Sequence, residues 1–198
     1  MNNEIKIKVA DPSAIGLFGL AIITLVASSQ KLGITEGTSL IIPWAIFLGA
    51  FAQLIACLND FKHDNVFGAT AFGAYALFWF GMAMTWFIQL GVFGELEVDT
   101  RQLGFVFLGY LIFTAFMTIG SVETNKVLLI IFSLINVLFI GLTLNAFGIA
   151  ADFTKILAGI AEILISLVAF YGCAANVLNK HFNREFLPLG KPLGIFKK

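Results

Sequence analysis

Residues 127–147 read VLLIIFSLINVLFIGLTLNAF, a run of twenty-one residues without a charged side chain. A helix needs about 20 predominantly apolar residues to cross the hydrocarbon core of a bilayer, and this run has that length. A strand of a membrane β-barrel would instead alternate polar and apolar residues, and this run does not. The segment therefore predicts a membrane-spanning α-helix.

Five further apolar stretches have the same character and are separated by short polar joints. They lie at residues 14–29, 39–58, 67–92, 103–120 and 156–178. Hydrophobic residue types make up 59% of the 198-residue chain and charged residues only 12%, whereas soluble domains carry about 25% charged residues. The sequence predicts an all-α membrane protein with six transmembrane helices at residues 13–179, an N-terminal tail at residues 1–12 and a C-terminal tail at residues 180–198.

The twelve Lys and Arg residues indicate the orientation, because positively charged loops stay on the cytoplasmic side. If the N-terminus is inside, nine cations lie inside: Lys6, Lys8, Lys62, Lys126, Lys180, Arg184, Lys191, Lys197 and Lys198. Three lie outside: Lys31, Arg101 and Lys155. This imbalance predicts that both termini are cytoplasmic. Six helices are also compatible with an inverted 3+3 repeat, as found in transporters.

The first apolar stretch could be a cleaved signal peptide, because it follows two lysines and contains the small residues of a cleavage site. Cleavage would leave five helices. The pair Asp11 and Pro12 instead favours a retained helix, with Asp11 as N-cap and Pro12 in the first turn. We expect the helix to be retained.

The sequence contains no motif typical of an enzyme active site or a metal site. No Ser, His and Asp set, no HExxH pattern and no phosphate-binding GxxxxGK[ST] loop occurs. His63 and His181 have no second ligand at metal spacing, while Cys57 and Cys173 are isolated in apolar runs and are typical of packing residues. The formal net charge is zero, so the sequence lacks the excess of basic residues typical of nucleic-acid-binding proteins. We expect no enzyme, cofactor, metal or nucleic-acid partner.

Function is therefore expected at the polar groups within the spans, namely Thr24, Gln53, Tyr75, Asn136 and Glu162. An amide in hydrocarbon is costly unless it is hydrogen-bonded, so Gln53 either bonds a neighbouring helix or lines a pathway for a small polar solute. The Tyr75 hydroxyl lies deep in its span, away from the interfacial belt, and needs a partner or a water-filled passage. A Thr hydroxyl can instead bond the carbonyl one turn earlier, which makes Thr24 a weaker candidate.

Glu162 is the only ionisable residue well inside a predicted span, about two turns from its outer end. Intramembrane carboxylates serve proton or substrate pathways, and no Lys or Arg at membrane depth is expected to pair with this one. Proton coupling at Glu162 and snorkelling of its side chain to the interface are both compatible with the sequence.

Two segments resemble the acetate uptake transporters, the family of bacterial succinate/acetate permeases and fungal acetate transporters. Residues 11–17, DPSAIGL, are similar to the family's Asn-Pro-Ala-Pro-Leu-Gly-Leu signature, and residues 65–79 are similar to its Asn-x-Phe-Gly-x-Thr-Ala-Phe-x-Ser-Tyr-Gly-x-Phe-Trp segment. Residues 49–53, 132–134, 176–179 and 187–190 match further family runs. The resemblance covers nearly the whole chain.

The resemblance implies a homohexamer whose protomers each have a pore that moves acetate or succinate with protons in a prokaryotic plasma membrane. It places the pore constriction at Leu20, Tyr75 and Leu134. It places the anion contacts at Ile15, Gly16, Leu17 and Gln53. Together with the polar candidates, the predicted substrate pathway comprises Ile15, Gly16, Leu17, Thr24, Gln53, Thr70, Phe72 and Asn136. Leu20 is smaller than the family's usual Phe, and Glu162 corresponds to a small residue in the family.

Three functions are compatible with these residues. The first is a transporter or channel for acetate and related short carboxylates, coupled to protons. The second is a passive channel for small neutral solutes such as urea, amides or undissociated acetic acid, since residues 32–37, LGITEG, are similar to a string in urea and amide channels. The third is a membrane assembly or sensory subunit whose polar groups only join helices.

Overall fold

The computed structural model describes residues 10–196, and all regular secondary structure in that range is helical. Six helices are long and apolar enough to cross a membrane: α1, Ser13–Lys31; α2, Ile42–Lys62; α3, Val66–Gln89; α4, Arg101–Ser121; α5, Lys126–Ala146; and α6, Ala151–Phe182. These helices confirm the six predicted spans. The largest difference is in α6, which has 32 residues and extends beyond the predicted span at both ends. The chain is a multi-pass membrane protein.

The six helices form a ring in sequence order. Each helix packs on the next, and α1 packs on α6 to close the ring; this contact is the most extensive, and the one between α3 and α4 is the sparsest. Since the number of crossings is even, the start of α1 and the end of α6 lie on one face, here called the termini face. Its cytoplasmic location stays a prediction, and four of the cations that support it, Lys6, Lys8, Lys197 and Lys198, lie outside the described residues.

Helix α2 contains a π-helical segment, Ala45–Ala52, which ends directly before Gln53. Segments of this kind are rare in proteins and frequently lie at functional sites. Helix α1 approaches this segment so closely that a Cβ atom added at Gly19 would collide with the carbonyl oxygen of Leu48. The absence of a side chain at Gly19 thus allows α1 and α2 to pack backbone to backbone.

Asparagine side chains cap α3 and α5, two of the three helices that begin on the termini face. Asn65 accepts a hydrogen bond from the Gly68 amide at the start of α3, and Asn125 accepts one from Leu128 at the start of α5. In α1 the predicted register is wrong by one residue, since the N-cap is Pro12. The Pro12 carbonyl accepts the first hydrogen bond of the helix, from the Gly16 amide, so the helix starts at Ser13. The Asp11 carboxylate still accepts a hydrogen bond from the Ser13 amide at 2.9 Å.

Aromatic side chains fill the sparse contact between α3 and α4. Tyr75 and Phe78 of α3 contact the ring of Tyr110, at centroid distances of 6.3 and 5.0 Å. Tyr110 also donates a hydrogen bond from its hydroxyl to the Ala74 carbonyl at 2.9 Å. Phe139 of α5 closes this cluster against Phe78 at 5.3 Å. The helix backbones stay apart here because large rings occupy the space between them.

The C-terminal strap, residues 184–196, folds back over the termini face. Asn179 of α6 holds its first part: the Oδ1 atom accepts from the Phe186 and Leu187 amides, and the Nδ2 atom donates to the Leu187 carbonyl. Further along, the Val127 amide donates to the Leu189 carbonyl and the Leu193 amide donates to Val122. The strap thus ties the end of α6 to the turn between α4 and α5.

Replacing Asn179 with Ala is expected to release the first part of the strap. Three hydrogen bonds are lost, each with a net contribution of about 1 kcal/mol, while α6 itself retains its backbone hydrogen bonds. Hydrogen exchange should show faster exchange at the amides of residues 184–190. Asn145→Ala is the matched control, because Asn145 makes its hydrogen bond to Ala151 at the opposite face. Unchanged protection in the Asn179 variant would contradict this role.

Candidate functional site

A cavity of about 360 Å³ opens from the termini face into the helix ring. We call it the vestibule. Its lining comes mainly from α1, α2, α3 and α5, with contributions from the α4–α5 turn, α6 and the strap: Asp11, Ser13, Leu17, Leu20, Gln53, Asp60, Asn65, Phe67, Gly68, Ala71, Phe72, Tyr75, Thr124, Asn125, Val127, Leu128, Ile131, Phe132, Ile135, Asn176 and Leu189.

The vestibule has a polar mouth and a largely apolar floor. Polar residues of the mouth lie at helix ends and turns, whereas the deepest positions along the helices are Tyr75 on α3 and Ile135 on α5. Each is nine residues from the start of its helix, which at a rise of 1.5 Å per residue is roughly 13 Å. Gln53 is the same number of residues from the end of α2. The vestibule therefore reaches near the middle of the spans.

Gln53 is a polar residue of the floor, with 1% of its surface exposed. Its Nε2 atom donates to the Gly49 carbonyl at 2.7 Å. Its Oε1 atom is buried and has no hydrogen-bond partner among the described residues. The amide thus bonds its own helix, and the expected hydrogen bond to a neighbouring helix is not found among the described residues. Gln53 is a vestibule residue, and its part in a solute pathway stays a prediction.

Tyr75 also reaches the floor, and its hydroxyl has the partner that its depth required. The hydroxyl lies 2.9 Å from Oγ1 of Thr114. Because the Thr114 hydroxyl already donates to the Tyr110 carbonyl at 2.6 Å, the Tyr75 hydroxyl is the donor in this pair. Its hydrogen is therefore committed to Thr114, and its oxygen remains an acceptor.

Asp60 is a buried carboxyl group at the vestibule mouth that sequence reasoning missed. Its surface is 2% exposed, and Oδ1 accepts from the Asn65 amide group at 2.9 Å. Oδ2 has no hydrogen-bond partner among the described residues. The residue lies in the last turn of α2, which the sequence presents as part of a polar joint. Asn65, a typical N-cap residue five positions later, was the sequence feature that could have placed Asp60 next to the start of α3.

Glu162 is not among the vestibule residues and is paired with a cation. Lys31 Nζ lies 2.9 Å from Glu162 Oε1, and the side chains are 17% and 2% exposed. The expectation that no cation reaches Glu162 is therefore wrong. The expectation fails for two reasons. The helix α6 starts earlier than predicted, at Ala151, which places Glu162 about three turns from the helix end. At that level α1 ends beside α6, and the long Lys31 side chain reaches the Glu162 carboxylate.

The structure brings together some of the other predicted residues and separates the rest. Leu17, Leu20 and Phe72 line the vestibule with Gln53 and Tyr75. Gly16 is buried against the Phe72 ring behind this lining. Ile15 and Thr70 are exposed on outer faces of their helices.

Three more predicted residues are not among the vestibule residues. Thr24 bonds the Leu20 carbonyl one turn earlier, as expected for an isolated threonine. Asn136 uses its amide on Thr118 and on the Phe132 carbonyl. On α5 the floor is formed by Ile131 and Ile135, so the place of Leu134 in a constriction stays a prediction.

The lining contains acids but no base. Asp11 and Asp60 lie at the mouth, and no Lys, Arg or His is among the described lining residues. The three helix N-termini at the mouth would favour an anion, but Asp11, Asn65 and Asn125 occupy amides of their first turns. The vestibule is therefore chemically a polar, acid-rimmed funnel with an apolar floor.

Comparison with known proteins places these features in a wider group. The profile of the GPR1/FUN34/yaaH family matches residues 1–189. An Escherichia coli K12 protein named "Succinate-acetate/proton symporter SatP" is 32% identical over 187 residues, which cover 93% of this chain and 97% of that protein. The Emericella nidulans "Acetate permease A" is 27% identical over 143 residues, covering 67% of this chain and 48% of the relative. A solved structure, described as the bacterial acetate channel SatP, superposes with a TM-score of 0.86 at 30% identity and covers 92% of this chain and 100% of the other.

Proposed function

The chain belongs to the GPR1/FUN34/yaaH family, and we propose that it moves acetate and related short carboxylates across a prokaryotic inner membrane together with protons. The observation that carries the proposal is the vestibule itself, within a fold that matches an acetate channel along nearly the full length of both chains. Each protomer would have its own pathway, and by family resemblance the protomers would form a homohexamer.

The dimensions and lining of the vestibule suit a small carboxylate better than a large solute. A cavity of about 360 Å³ is at the small end of the range for ligand pockets, roughly 300–1,000 Å³. The apolar floor can receive a methyl or methylene group, and Gln53 offers a polar contact there. Leu20 and Tyr75 lie at this depth and are the proposed constriction.

Cotransport with a proton has an energetic reason. Moving one negative charge into a cell against an inside-negative potential costs about 2.3 kcal/mol per 100 mV. A monocarboxylate that travels with one proton carries no net charge and avoids this cost. Coupling is therefore part of the proposal.

A passive pathway for small neutral solutes is the second candidate. The lack of a base among the described lining residues favours it, because urea and amides need hydrogen-bond partners but no countercharge. Both candidates use the same vestibule and differ in what drives the flux.

Uptake of radiolabelled acetate into proteoliposomes tests the two candidates together. We expect saturable uptake above that of protein-free vesicles, faster when an imposed pH step makes the outside acidic, with succinate and propionate as competitors and no permeation of urea. Uptake that ignores the pH step would overturn proton coupling. Rapid urea permeation without acetate uptake would favour the second candidate.

A further inference from the structure

The buried amide of Gln53 has a fixed orientation. Gly49 presents a carbonyl oxygen, which can only accept, so the group 2.7 Å away must be the Nε2 donor and the other end must be the oxygen. The Oε1 acceptor and the second amide hydrogen are then left for something other than Gly49. Gln53 lines the vestibule, and its buried Oε1 atom is the acceptor there that has no partner among the described residues.

An amide edge with one acceptor and one donor distinguishes the two forms of a carboxyl group. A protonated carboxyl group has an O–H donor and a C=O acceptor, and it can satisfy both at once. An ionised carboxylate has only acceptors, so it would leave the buried Oε1 atom without a donor. A buried acceptor without a partner is unfavourable, and the floor therefore favours the protonated form.

The charges of the vestibule act in the same direction. Asp11, Asp60 and Tyr75 are the titratable groups among the described lining residues, and none of them carries a positive charge. His63 and Asp11 are the titratable neighbours of Asp60, and Cys57 lies one turn before it on α2. An ionised acid at the mouth repels an anion, whereas a neutral acid passes it without this cost.

From this geometry we infer that the vestibule binds the undissociated carboxylic acid, held by Gln53, so that the cotransported proton travels on the substrate itself. The inference rests on the proposed function and specifies the form of its substrate. The acid keeps its O–H bond during passage and releases the proton to water after it leaves. No protein group has to bind and release a proton during the cycle.

Competition by two acetate-like molecules tests the inference in reconstituted protein. Acetamide is neutral and has a donor and an acceptor on one edge, and methanesulfonate remains an anion with acceptors only. We expect acetamide to inhibit the uptake of radiolabelled acetate above the protein-free background, and methanesulfonate to leave it unchanged. Inhibition by methanesulfonate with no inhibition by acetamide would overturn the inference.

The pH dependence of half-saturation provides a second arm of the test. Above the pKa of acetic acid, the undissociated fraction falls about tenfold per pH unit. We therefore expect the half-saturation concentration, expressed as undissociated acid, to stay constant between about pH 5.5 and 7.5. Constancy of half-saturation expressed as the anion would contradict the inference.

Variants of Gln53 connect the result to this residue. Gln53→Leu should lower protein-dependent uptake by about tenfold or more and abolish the effect of acetamide, because both hydrogen bonds are lost. Gln53→Glu presents a donor and an acceptor only when it is protonated, so its uptake should fall more steeply with rising pH than that of the wild type. Asn59→Leu is the control, since Asn59 bonds the carbonyl four residues earlier on the same helix and is not a vestibule residue.

A thermal-shift measurement on purified protein separates the two possible failures. Stabilisation by acetamide that disappears in Gln53→Leu would support the inference even if acetate flux were absent, in which case the proposed function alone would fail. Acetate flux with equal stabilisation by methanesulfonate and acetamide would leave the proposed function intact and overturn the inference.

Discussion

Replacing Lys31 with Met is expected to destabilise the protein by about 3–5 kcal/mol, the cost of leaving a buried charge without its partner. The Glu162 side chain is only 2% exposed, and its single described partner is the Lys31 ammonium group at 2.9 Å. Its second oxygen, Oε2, has no hydrogen-bond partner among the described residues. For a chain of about 200 residues this loss corresponds to a melting temperature lower by roughly 6–20 °C.

The second substitution in the same pair identifies the cause. Glu162→Gln removes the charge that Lys31→Met leaves unpaired, so the double variant should recover most of the lost melting temperature. Lys155→Met is the control for the loss of a lysine, because Lys155 is exposed on α6. A double variant that is no more stable than Lys31→Met would show that the ion pair does not account for the effect.

The double variant also tests whether Glu162 couples protons. Glu162 is not a vestibule residue, and we expect acetate uptake by the double variant to retain its response to an imposed pH step. A double variant that folds and transports acetate without this response would instead support the coupling role that the sequence suggested for Glu162.

Replacing Ala71 with Phe is expected to reduce acetate uptake to the background of protein-free vesicles. Ala71 is a vestibule residue on α3, one turn from Tyr75, and it is 6% exposed. A benzyl group at this position enters the cavity between the mouth and the floor, where about 360 Å³ must admit the substrate. The expected loss is larger than that for removal of a single hydrogen bond, because the pathway is obstructed for every substrate.

The control for Ala71→Phe is Leu77→Phe, a position on the same helix that is 62% exposed. Leu77→Phe should retain uptake, and both variants should elute as folded protein in size-exclusion chromatography. Normal uptake by a folded Ala71→Phe protein would place the pathway outside the vestibule and would contradict the proposed function at this site.

The sequence by itself determined the six spans and the groups that needed partners. Helix formation across a membrane depends on about 20 consecutive apolar residues, which is a local property of the chain. The cost of a buried amide or hydroxyl is also local, so Gln53 and Tyr75 could be singled out before their surroundings were known. The family resemblance added the carboxylate substrate and named Leu17 and Leu20, which line the vestibule.

Only the tertiary structure decided which groups meet. Two side-chain pairs join residues that are far apart in the chain: Lys31 and Glu162 are 131 positions apart, and Tyr75 and Thr114 are 39 positions apart. Neither partner could be predicted from the other in the sequence. The choice of Ile135 over its neighbour Leu134 in the vestibule lining had no sequence signal, because both are large apolar residues and lipid and protein interior favour the same residue types. The acidic character of the mouth likewise arises when Asp11 and Asp60, from separate helix ends, line one cavity. Hydropathy determines that a helix crosses the membrane, but the packing of the ring determines which of its sides faces the vestibule.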